Sequence, residues 1–357
     1  MSNPDDILFE QRGVAGIITL NRPAALNAVT DDMLTRLNGQ LDTWMAADAV
    51  ERILIKAVPG RAFSAGGDIR HLYDRGREGA FDFDFFAREY ALNARIAALQ
   101  KPYIALVDGI AMGGGVGVSF HGSLRVGGEA MAFAMPEVGI GFFPDVGGSY
   151  ILSRLPGKLG LYLGLTGTRL KQADALWAGL ITHACASDQL ADLETALISA
   201  PTVDDALSVA GCRTQDDETD APIVSAMPFI NQVFAATTVE GIVANLEAMA
   251  GTEGEAWAEK TLSALRTKSP TSLKIAFRQI TYGADQTMAD CMRMEYRILR
   301  RLLPGPEFYE GIRAAIIDKD NAPRWSPDSL NEVTDATIDT YFEPLPLELE
   351  LPLGANA

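Results

Sequence analysis

The stretch VDGIAMGGGVGVSFHG, residues 107–122, places three consecutive glycines directly after a predicted strand, YIALVDG. A glycine permits sharp backbone turns and lets a substrate approach the chain closely. A short helix is predicted to follow at residues 116–121. A second turn of this form occurs in RAFSAGGDIRHL, residues 61–72. Two such turns, each after a strand, indicate an α/β fold with two loops able to serve one site.

Outward from these turns, predicted strands alternate with predicted helices through about residue 200, which is typical of an α/β layered core. Residues 30–44 carry apolar side chains on one helical face behind a Thr30 or Asp31 cap. Residues 201–222 are acidic and rich in turn formers, which predicts a connector. Residues 223–357 have apolar side chains mainly at helical spacing. We therefore expect a core over residues 1–200, the connector and a helical C-terminal region.

The composition limits the classes of partner. The 357 residues carry a formal net charge of −17, so nucleic acid and anionic membrane surfaces would be repelled at long range. The glycine stretches match neither the dinucleotide-binding fingerprint nor the P-loop. An anionic small molecule remains an option where cations cluster near the motifs. The candidates for such contacts are Arg22, Arg61, Arg70 and Lys101.

The cysteines and the N-terminus indicate the compartment. Cys185, Cys212 and Cys291 are far apart and form no CxxC pair, which indicates neither a zinc site nor a disulfide framework. The acidic N-terminal stretch MSNPDDILFE lacks an apolar signal core and an Arg-rich presequence. The longest weakly polar run, residues 103–120, is too rich in glycine to span a bilayer. We therefore expect a cytoplasmic protein that does not bind membranes.

Two acids stand among apolar residues, glycines and prolines in MPEVGIGFFPDVGGSY, residues 135–150. Because a buried carboxylate is costly without a partner or a use, Glu137 and Asp145 are candidate site residues. Two glycine turns can present two backbone N–H groups to one oxygen, which is an oxyanion hole, and a nearby carboxylate can act as base or nucleophile. The alternative for Asp145 is a helix N-cap before GGSYILSRL. His183 and Cys185, two residues apart, give no support for a catalytic pair.

Four stretches, in order and spacing, are similar to the crotonase (enoyl-CoA hydratase/isomerase) superfamily over residues 7–200. They are LNRPAALNAV (20–29), AFSAGGDI (62–69), DGIAMGGGVG (108–117) and PEVGIGFFPDVGG (136–148). The resemblance implies a spiral core of repeated ββα units that binds acyl-CoA and carries catalysis. SPTSLKIAFRQ and FYEGIRAAIIDKDNAPRW resemble a subgroup that hydrolyses thioesters of short 3-hydroxyacyl-CoA molecules. In that subgroup the helical C-terminal region completes or covers the active site.

The resemblance also implies roles for residues. The backbone amides of Gly67 and Gly114 would hold the thioester carbonyl, with Glu137 and Asp145 as the pocket acids. Glu89, which otherwise reads as part of a solvated helix face, would join the substrate site. Further contacts to acyl-CoA are implied for Ala25, Ala65, Gly66, Asp68 and Ile69. No metal and no cofactor are expected, since coenzyme A is part of the substrate.

One departure separates the members of this superfamily. Enoyl-CoA hydratases carry a second glutamate three residues beyond the oxyanion glycine, where this chain has Gly117. Hydration needs one group to activate water and a group to deliver a proton, so a single carboxylate favours thioester hydrolysis. The expected reaction converts 3-hydroxyisobutyryl-CoA to 3-hydroxyisobutyrate and CoA in valine breakdown, with 3-hydroxypropionyl-CoA as a second substrate. Glu137 would either activate water or attack directly to give an anhydride.

Two alternatives to this function are retained. The first is an enoyl-CoA hydratase or isomerase, against which Gly117 and the FPDVGG stretch weigh. The second is a non-catalytic acyl-CoA-binding protein, which leaves Glu137 without a purpose. The resemblance also implies a homo-oligomer, unless the C-terminal helices cover the corresponding surface within one chain.

Overall fold

The computed structural model describes residues 3–215 and 220–353. Its strands are β1 (Ile7–Arg12), β2 (Ala15–Leu20), β3 (Arg52–Ala57), β4 (Ala62–Ser64), β5 (Tyr103–Val107), β6 (Ile110–Met112), β7 (Leu124–Gly127), β8 (Ala132–Ala134), β9 (Leu170–Lys171) and β10 (His183–Ala184). Its helices in the first 200 residues are α1 (Asp31–Ala46), α2 (Ile69–Arg77), α3 (Phe83–Ala97), α4 (Gly114–Gly117), α5 (Gly148–Leu152), α6 (Leu159–Thr166), α7 (Gln172–Trp177) and α8 (Leu190–Ser199).

The C-terminal part of the chain is helical. Its helices are α9 (Val203–Val209), α10 (Ile223–Val233), α11 (Val239–Glu247), α12 (Glu255–Arg266), α13 (Pro270–Gly283), α14 (Met288–Leu302), α15 (Pro306–Ile312) and α16 (Asp335–Phe342). Within the described ranges, no helix combines the length and apolar character needed to cross a bilayer.

The strands form two sheets. The larger has the order β1-β2-β3-β5-β7-β10 and is parallel except for the β1–β2 hairpin. The smaller has the order β4-β6-β8-β9 and is parallel except for β8–β9. The strand pairs β3/β4, β5/β6 and β7/β8 each pass from the larger to the smaller sheet before a helix. This repetition of ββα units confirms the predicted α/β fold class.

Burial on both faces explains why the strand sequences are continuously apolar. Every residue of β5 is buried, because helices cover the larger sheet on both faces. One hydrophobic cluster continues from the sheets into the C-terminal helices. On the surface helix α1 the predicted apolar face is buried, and the Thr30 hydroxyl accepts the Met33 N–H at its N-terminus.

The predicted connector, residues 201–222, contains helix α9, and its residues 216–219 lie outside the described residues. The division of the chain at residues 200 and 222 stays a prediction.

The expectation that the cysteines form no disulfide is wrong. Cys185 and Cys212 are joined by a disulfide, with their Cα atoms 4.6 Å apart. The sequence separation of 27 residues concealed this pair, because an isolated bridge between Ala184 and Arg213 brings the two segments together. His183 contacts the Thr182 hydroxyl at 3.0 Å, and Cys291 is a buried free thiol.

The loop that carries Asp145 is held by α14. Glu295 lies inside the protein and accepts the N–H groups of Gly147 at 2.8 Å and Ser149 at 2.9 Å. It also accepts the Ser149 hydroxyl. Burial raises the pKa of Glu295 to about 8, and these hydrogen bonds act in the opposite direction. Glu295 therefore fixes a backbone turn whose N–H groups would otherwise be buried without acceptors.

Two further side chains hold the same loop. The Gln279 amide of α13 donates to the Pro144 carbonyl at 2.5 Å. Nε2 of the half-buried His121 lies 2.6 Å from the Val146 carbonyl and donates to it, and desolvation lowers the pKa of His121 to about 4. Val146 has φ +50°, a conformation that costs energy for a β-branched residue. The surrounding contacts thus hold the loop in a strained shape.

We predict that Glu295→Ala lowers the free energy of unfolding by about 2 kcal/mol or more, because at least two buried N–H groups lose their acceptor. Glu295→Gln should cost less, since the amide oxygen still accepts one of them. Urea denaturation measures both. The control is Glu247→Ala, which breaks an exposed ion pair with Arg266 and should cost less than about 1 kcal/mol. A Glu295→Ala protein as stable as this control would contradict the prediction.

Candidate active site

A cavity of about 280 Å³ opens between the two glycine turns, α3 and a 3-10 turn at Glu137–Ile140. Its lining combines many apolar side chains with a few charged ones, which is typical of small-molecule sites. The apolar side chains are Ile69, Leu72, Phe85, Phe86, Met112, Ile140, Phe142 and Phe308. The charged side chains are Glu89, Glu137, Asp145 and Lys268.

The two glycine turns meet at this cavity. Gly67 and Gly114 both line it, and a Cβ atom placed on Gly114 would lie 3.5 Å from the Gly67 nitrogen. The residues before them, Gly66 and Gly113, have φ of +116° and +46°, which glycine adopts at little cost. The helix after the second turn spans Gly114–Gly117, whereas the sequence predicted residues 116–121. The turn itself therefore begins the helix.

Backbone geometry leaves the N–H groups of both cavity-lining glycines without an acceptor. Val29 donates to the Gly66 carbonyl at 2.8 Å and accepts the Asp68 N–H at 3.2 Å. Because N–H groups alternate in direction along an extended strand, the N–H of Gly67 points away from Val29. Gly114 is the first residue of α4, where an N–H has no acceptor within the helix. Among the described residues neither N–H donates a hydrogen bond, so both can serve one ligand oxygen.

Three acids share the cavity, and all are buried. Glu89, Glu137 and Asp145 are 2%, 7% and 5% exposed. Glu89 therefore lies on the inward face of α3, not on a solvated face. Within the described part of the chain, Glu89 Oε1 and Glu137 Oε2 are buried without a hydrogen-bond partner. Since buried polar atoms are normally paired, these oxygens are groups that a ligand or water would satisfy.

The surroundings of the three acids differ, and so do their pKa values. Burial, and then the charge of Asp145, raises the pKa of both Glu89 and Glu137 well above the usual value. Burial also raises the pKa of Asp145, to about 7, although a hydrogen bond from Tyr90 opposes this. The Tyr90 hydroxyl thus favours the ionised form of Asp145, whereas burial and the charge of Asp145 oppose ionisation of Glu89 and Glu137.

Tyr90 is a site residue that the sequence did not reveal. Its hydroxyl donates to Asp145 Oδ2 at 2.9 Å, and its ring is fully buried on α3. The alternative role of Asp145 as a helix cap is not observed. Helix α5 begins after Gly147, and among the described residues no side chain caps it. A buried Tyr at helical spacing normally indicates core packing, so nothing in the sequence distinguished this one.

Lys268 was also missed. It lies just before α13, and its Nζ would be 3.4 Å from a Cβ atom on Gly139 in the cavity wall. Burial lowers the pKa of Lys268. It forms no ion pair within residues 3–215 and 220–353, although it is the only cation that lines the cavity there. It lies more than 120 residues from the acids in the chain, so only the fold brings them together.

The remaining predicted contacts divide into two groups. Ala65, Gly66 and Ile69 line the cavity, whereas Asp68 and Ala25 lie outside it. Asp68 accepts the His71 N–H at the start of α2 and pairs with Arg22 at 2.9 Å. Ala25 belongs to the turn Pro23–Ala25.

The other proposed cations lie away from the cavity. Arg61 and Arg70 are exposed, and the ammonium of Lys101 donates to the carbonyls of Trp44 and Ala47. Within the described ranges no group of three or more His, Cys, Asp or Glu side chains is placed to hold a metal ion. The absence of a cofactor stays a prediction.

Solved structures share this architecture. A carnitinyl-CoA dehydratase from Mycobacterium thermoresistibile matches with a TM-score of 0.90 at 37% identity, over 98% of this chain and 99% of that one. An enoyl-CoA hydratase from Rhodobacter sphaeroides 2.4.1 matches with a TM-score of 0.88 at 37% identity, over 98% of this chain and all of that one. The predicted α/β core with a helical C-terminal region is therefore shared by proteins that act on CoA esters by name.

Curated relatives carry a different name. The mitochondrial 3-hydroxyisobutyryl-CoA hydrolase of Xenopus tropicalis is 46% identical over 95% of this chain and 89% of its own length. The human protein of that name is 42% identical over 96% of this chain and 89% of its own. On this finding the predicted cytoplasmic location is wrong. That prediction depended on the separated cysteines, on ten N-terminal residues and on the lack of a membrane-spanning run, and none of these features reports where the folded chain works.

The family model described as enoyl-CoA hydratase/isomerase matches residues 15–342. This match and the curated relatives agree with the glycine turns, the ββα units and the buried acids: the chain belongs to the enoyl-CoA hydratase/isomerase family, the crotonase family.

Proposed function

We propose that this protein hydrolyses the thioester of a short 3-hydroxyacyl-CoA, with 3-hydroxyisobutyryl-CoA as the substrate and valine breakdown as the pathway. The observation that carries the proposal is one cavity in which the unpaired N–H groups of Gly67 and Gly114 lie beside the buried carboxyl of Glu137. The names of the curated relatives support the choice of reaction and acyl group.

In the proposed mechanism, the two N–H groups bind the thioester oxygen and stabilise negative charge as it develops there. In one route, ionised Glu137 takes a proton from water as the water oxygen bonds to the carbonyl carbon. The C–S bond then breaks, and the proton passes to the sulfur. In the other route, Glu137 itself attacks, the thiolate leaves, and water cleaves the resulting anhydride. Asp145 orients the 3-hydroxyl or the water in either route.

The charge at the cavity wall is a second feature that supports an acyl-CoA ligand. The protein is strongly acidic, so the phosphates of CoA need a local cation. Lys268, without a carboxylate partner among the described residues, supplies a positive charge at the cavity wall. CoA enters as part of the substrate, and no separate cofactor is needed for either route.

A hydratase is the second candidate, because two solved structures of this fold are named for hydration or dehydration. The geometry at Gly117 disfavours it. A Cβ atom there would lie 2.8 and 2.9 Å from the two amide atoms of Asn93 and 3.0 Å from the Val146 Cβ. A glutamate at this position would require the Asn93 side chain to move, and in this chain Gly117 leaves the usual place of the second acid of hydration without a carboxylate.

We predict that Glu137→Gln lowers thiol release from 3-hydroxyisobutyryl-CoA by about 100-fold or more, because the amide can neither take a proton nor attack. Affinity for CoA, measured by calorimetry, should stay unchanged. Glu247→Gln on the surface serves as the control. Undiminished thiol release would remove Glu137 from the chemistry, loss of CoA binding as well would indicate misfolding, and hydration of crotonyl-CoA without thiol release would favour the hydratase.

We predict that Gly114→Ala lowers kcat at least tenfold, because its Cβ would lie 2.6 Å from Glu89 Oε1 and would displace that side chain beside the oxyanion site. Gly67→Ala is the matched variant: its Cβ would lie 3.8 Å from the nearest atom, on Phe85, so the protein should keep its stability. Steady-state thiol release and thermal unfolding measure the two effects. Equal turnover of Gly114→Ala and wild type would argue against this arrangement.

We predict that Tyr90→Phe shifts the acidic limb of the pH profile of kcat/KM to higher pH by about one unit. The Tyr90 hydroxyl stabilises ionised Asp145, so its removal raises an Asp145 pKa that is already about 7. Activity at pH 6 should therefore fall more than activity at pH 9. Tyr296→Phe, a neighbouring ring in edge contact with Tyr90, is the control and should leave the limb in place. A shift to lower pH would reverse the assigned role.

A further inference from the structure

Asn93 is a buried polar side chain with no structural use in the described part of the chain. It lies on α3, one turn beyond Glu89, and is 0% exposed. Neither Oδ1 nor Nδ2 has a hydrogen-bond partner among the described residues. Leaving two such atoms unpaired costs about 1–3 kcal/mol each. An apolar side chain would therefore stabilise this position better, which points to a functional reason for the amide.

The surroundings of Asn93 form a seam between α3 and α4. Glu89 and Asn93 are four residues apart, so they share one face of α3. They face two glycines of α4: Glu89 Oε1 would lie 2.6 Å from a Cβ on Gly114, and the Asn93 amide 2.8 Å from a Cβ on Gly117. The polar atoms of Glu89 and Asn93 thus face the glycine backbone of α4, which has no side chain to pair with them.

The unpaired atoms of the seam match the requirements of one water molecule. Glu89 Oε1, Asn93 Oδ1 and Asn93 Nδ2 include both donors and acceptors, and a buried water typically makes about three hydrogen bonds. We propose that Glu89 and Asn93 hold an ordered water in the seam, and that Asn93 is a positioning residue for the water that cleaves the acyl group. This inference rests on the proposed function and adds to it the residues that hold the attacking water.

The location beside Gly114 gives this water its role. Glu89 lines the cavity beside Gly114, whose N–H binds the thioester oxygen in the proposed mechanism, so a water held by Glu89 is placed at the edge of the cavity that takes the acyl group. The water oxygen bonds to that carbon, and one of its protons moves to the ionised carboxylate of the site. The C–S bond, or the C–O bond of the anhydride, breaks in the same sequence, and the proton ends on the leaving group. An amide suits this task because it donates and accepts without titrating.

Asn93→Leu tests the proposal, because it removes both polar atoms at similar volume. We expect kcat for thiol release to fall about 10- to 100-fold with KM nearly unchanged, since the water loses its orientation. The same variant should be at least as stable to urea as wild type, because replacing a buried polar group by an apolar side chain of the same branched shape is nearly neutral or stabilising. A merely structural asparagine would give the opposite pair of results, lower stability with the remaining activity following the folded fraction.

A competing nucleophile provides a second readout. Hydroxylamine attacks the acyl carbon through its nitrogen, releases the thiol and forms a hydroxamate without using the held water. We expect the hydroxamate-to-acid ratio to rise in Asn93→Leu as hydrolysis slows. A high-resolution crystal structure of the wild type should show a water within about 3.2 Å of the Asn93 amide and Glu89 Oε1. Tyr296→Phe changes a side chain that packs against Tyr90 of α3, so it is the control for the kinetic and hydroxamate measurements.

The outcomes separate the two proposals. A wild-type protein that releases no thiol from 3-hydroxyisobutyryl-CoA would overturn the proposed function and this inference together. A hydrolytic wild type would overturn only the inference in either of two cases. The first is a seam without a water in the crystal structure, and the second is an Asn93→Leu variant with unchanged kcat and an unchanged hydroxamate ratio.

Discussion

The cost of burying carboxyl groups is the constraint on which this structure depends. Glu89, Glu137, Asp145 and Glu295 all lie inside the protein, where an ionised acid is unfavourable without donors around it. Each has a different set of donors. Glu295 accepts backbone N–H groups, Asp145 accepts a tyrosine hydroxyl, and Glu89 and Glu137 each keep an oxygen without a partner in the described residues. This gradient of solvation gives chemically similar groups different electrostatic surroundings in one small volume.

Maintaining that gradient requires both parts of the chain. The ββα units supply the glycine turns and the turn at Glu137–Ile140, whereas α13 and α14 hold the Asp145 loop through Gln279 and Glu295. The C-terminal helices thus act on the position of an acid, in addition to adding Lys268 and Phe308 to the cavity wall. A loop with a β-branched residue at positive φ would not keep this shape in isolation, so its geometry depends on tertiary contacts.

A candidate site residue could be predicted from the sequence only where it lies within a short, recognisable motif. The glycine turns, Glu137 and Asp145 lie in short stretches of unusual composition, so the sequence indicated them as candidates, and the alternation of strands and helices predicted the fold class. Tyr90, Asn93 and Lys268 lie on ordinary helical or loop segments, and only the packing of α3 against α4 and of α13 against the core gives them a role. The same reason explains the disulfide: its two cysteines meet through one isolated bridge, which leaves no pattern in sequence spacing.

In the proposed function, the difference between addition of water and hydrolysis depends on which side chain occupies the space beside Gly117. In hydratases of the family resemblance, a glutamate side chain extends from the position of Gly117; here the Asn93 amide from the opposite helix occupies that space. A carboxylate there can exchange a proton with a carbon atom of the substrate, but an amide can only hold and orient. With the thiolate of CoA as the leaving group, orientation of water and stabilisation of the oxyanion are sufficient, because the sulfur departs without a strong acid. In the proposed function, Gly117 and the Asn93 amide beside it therefore replace the second acid of hydration at one helix contact.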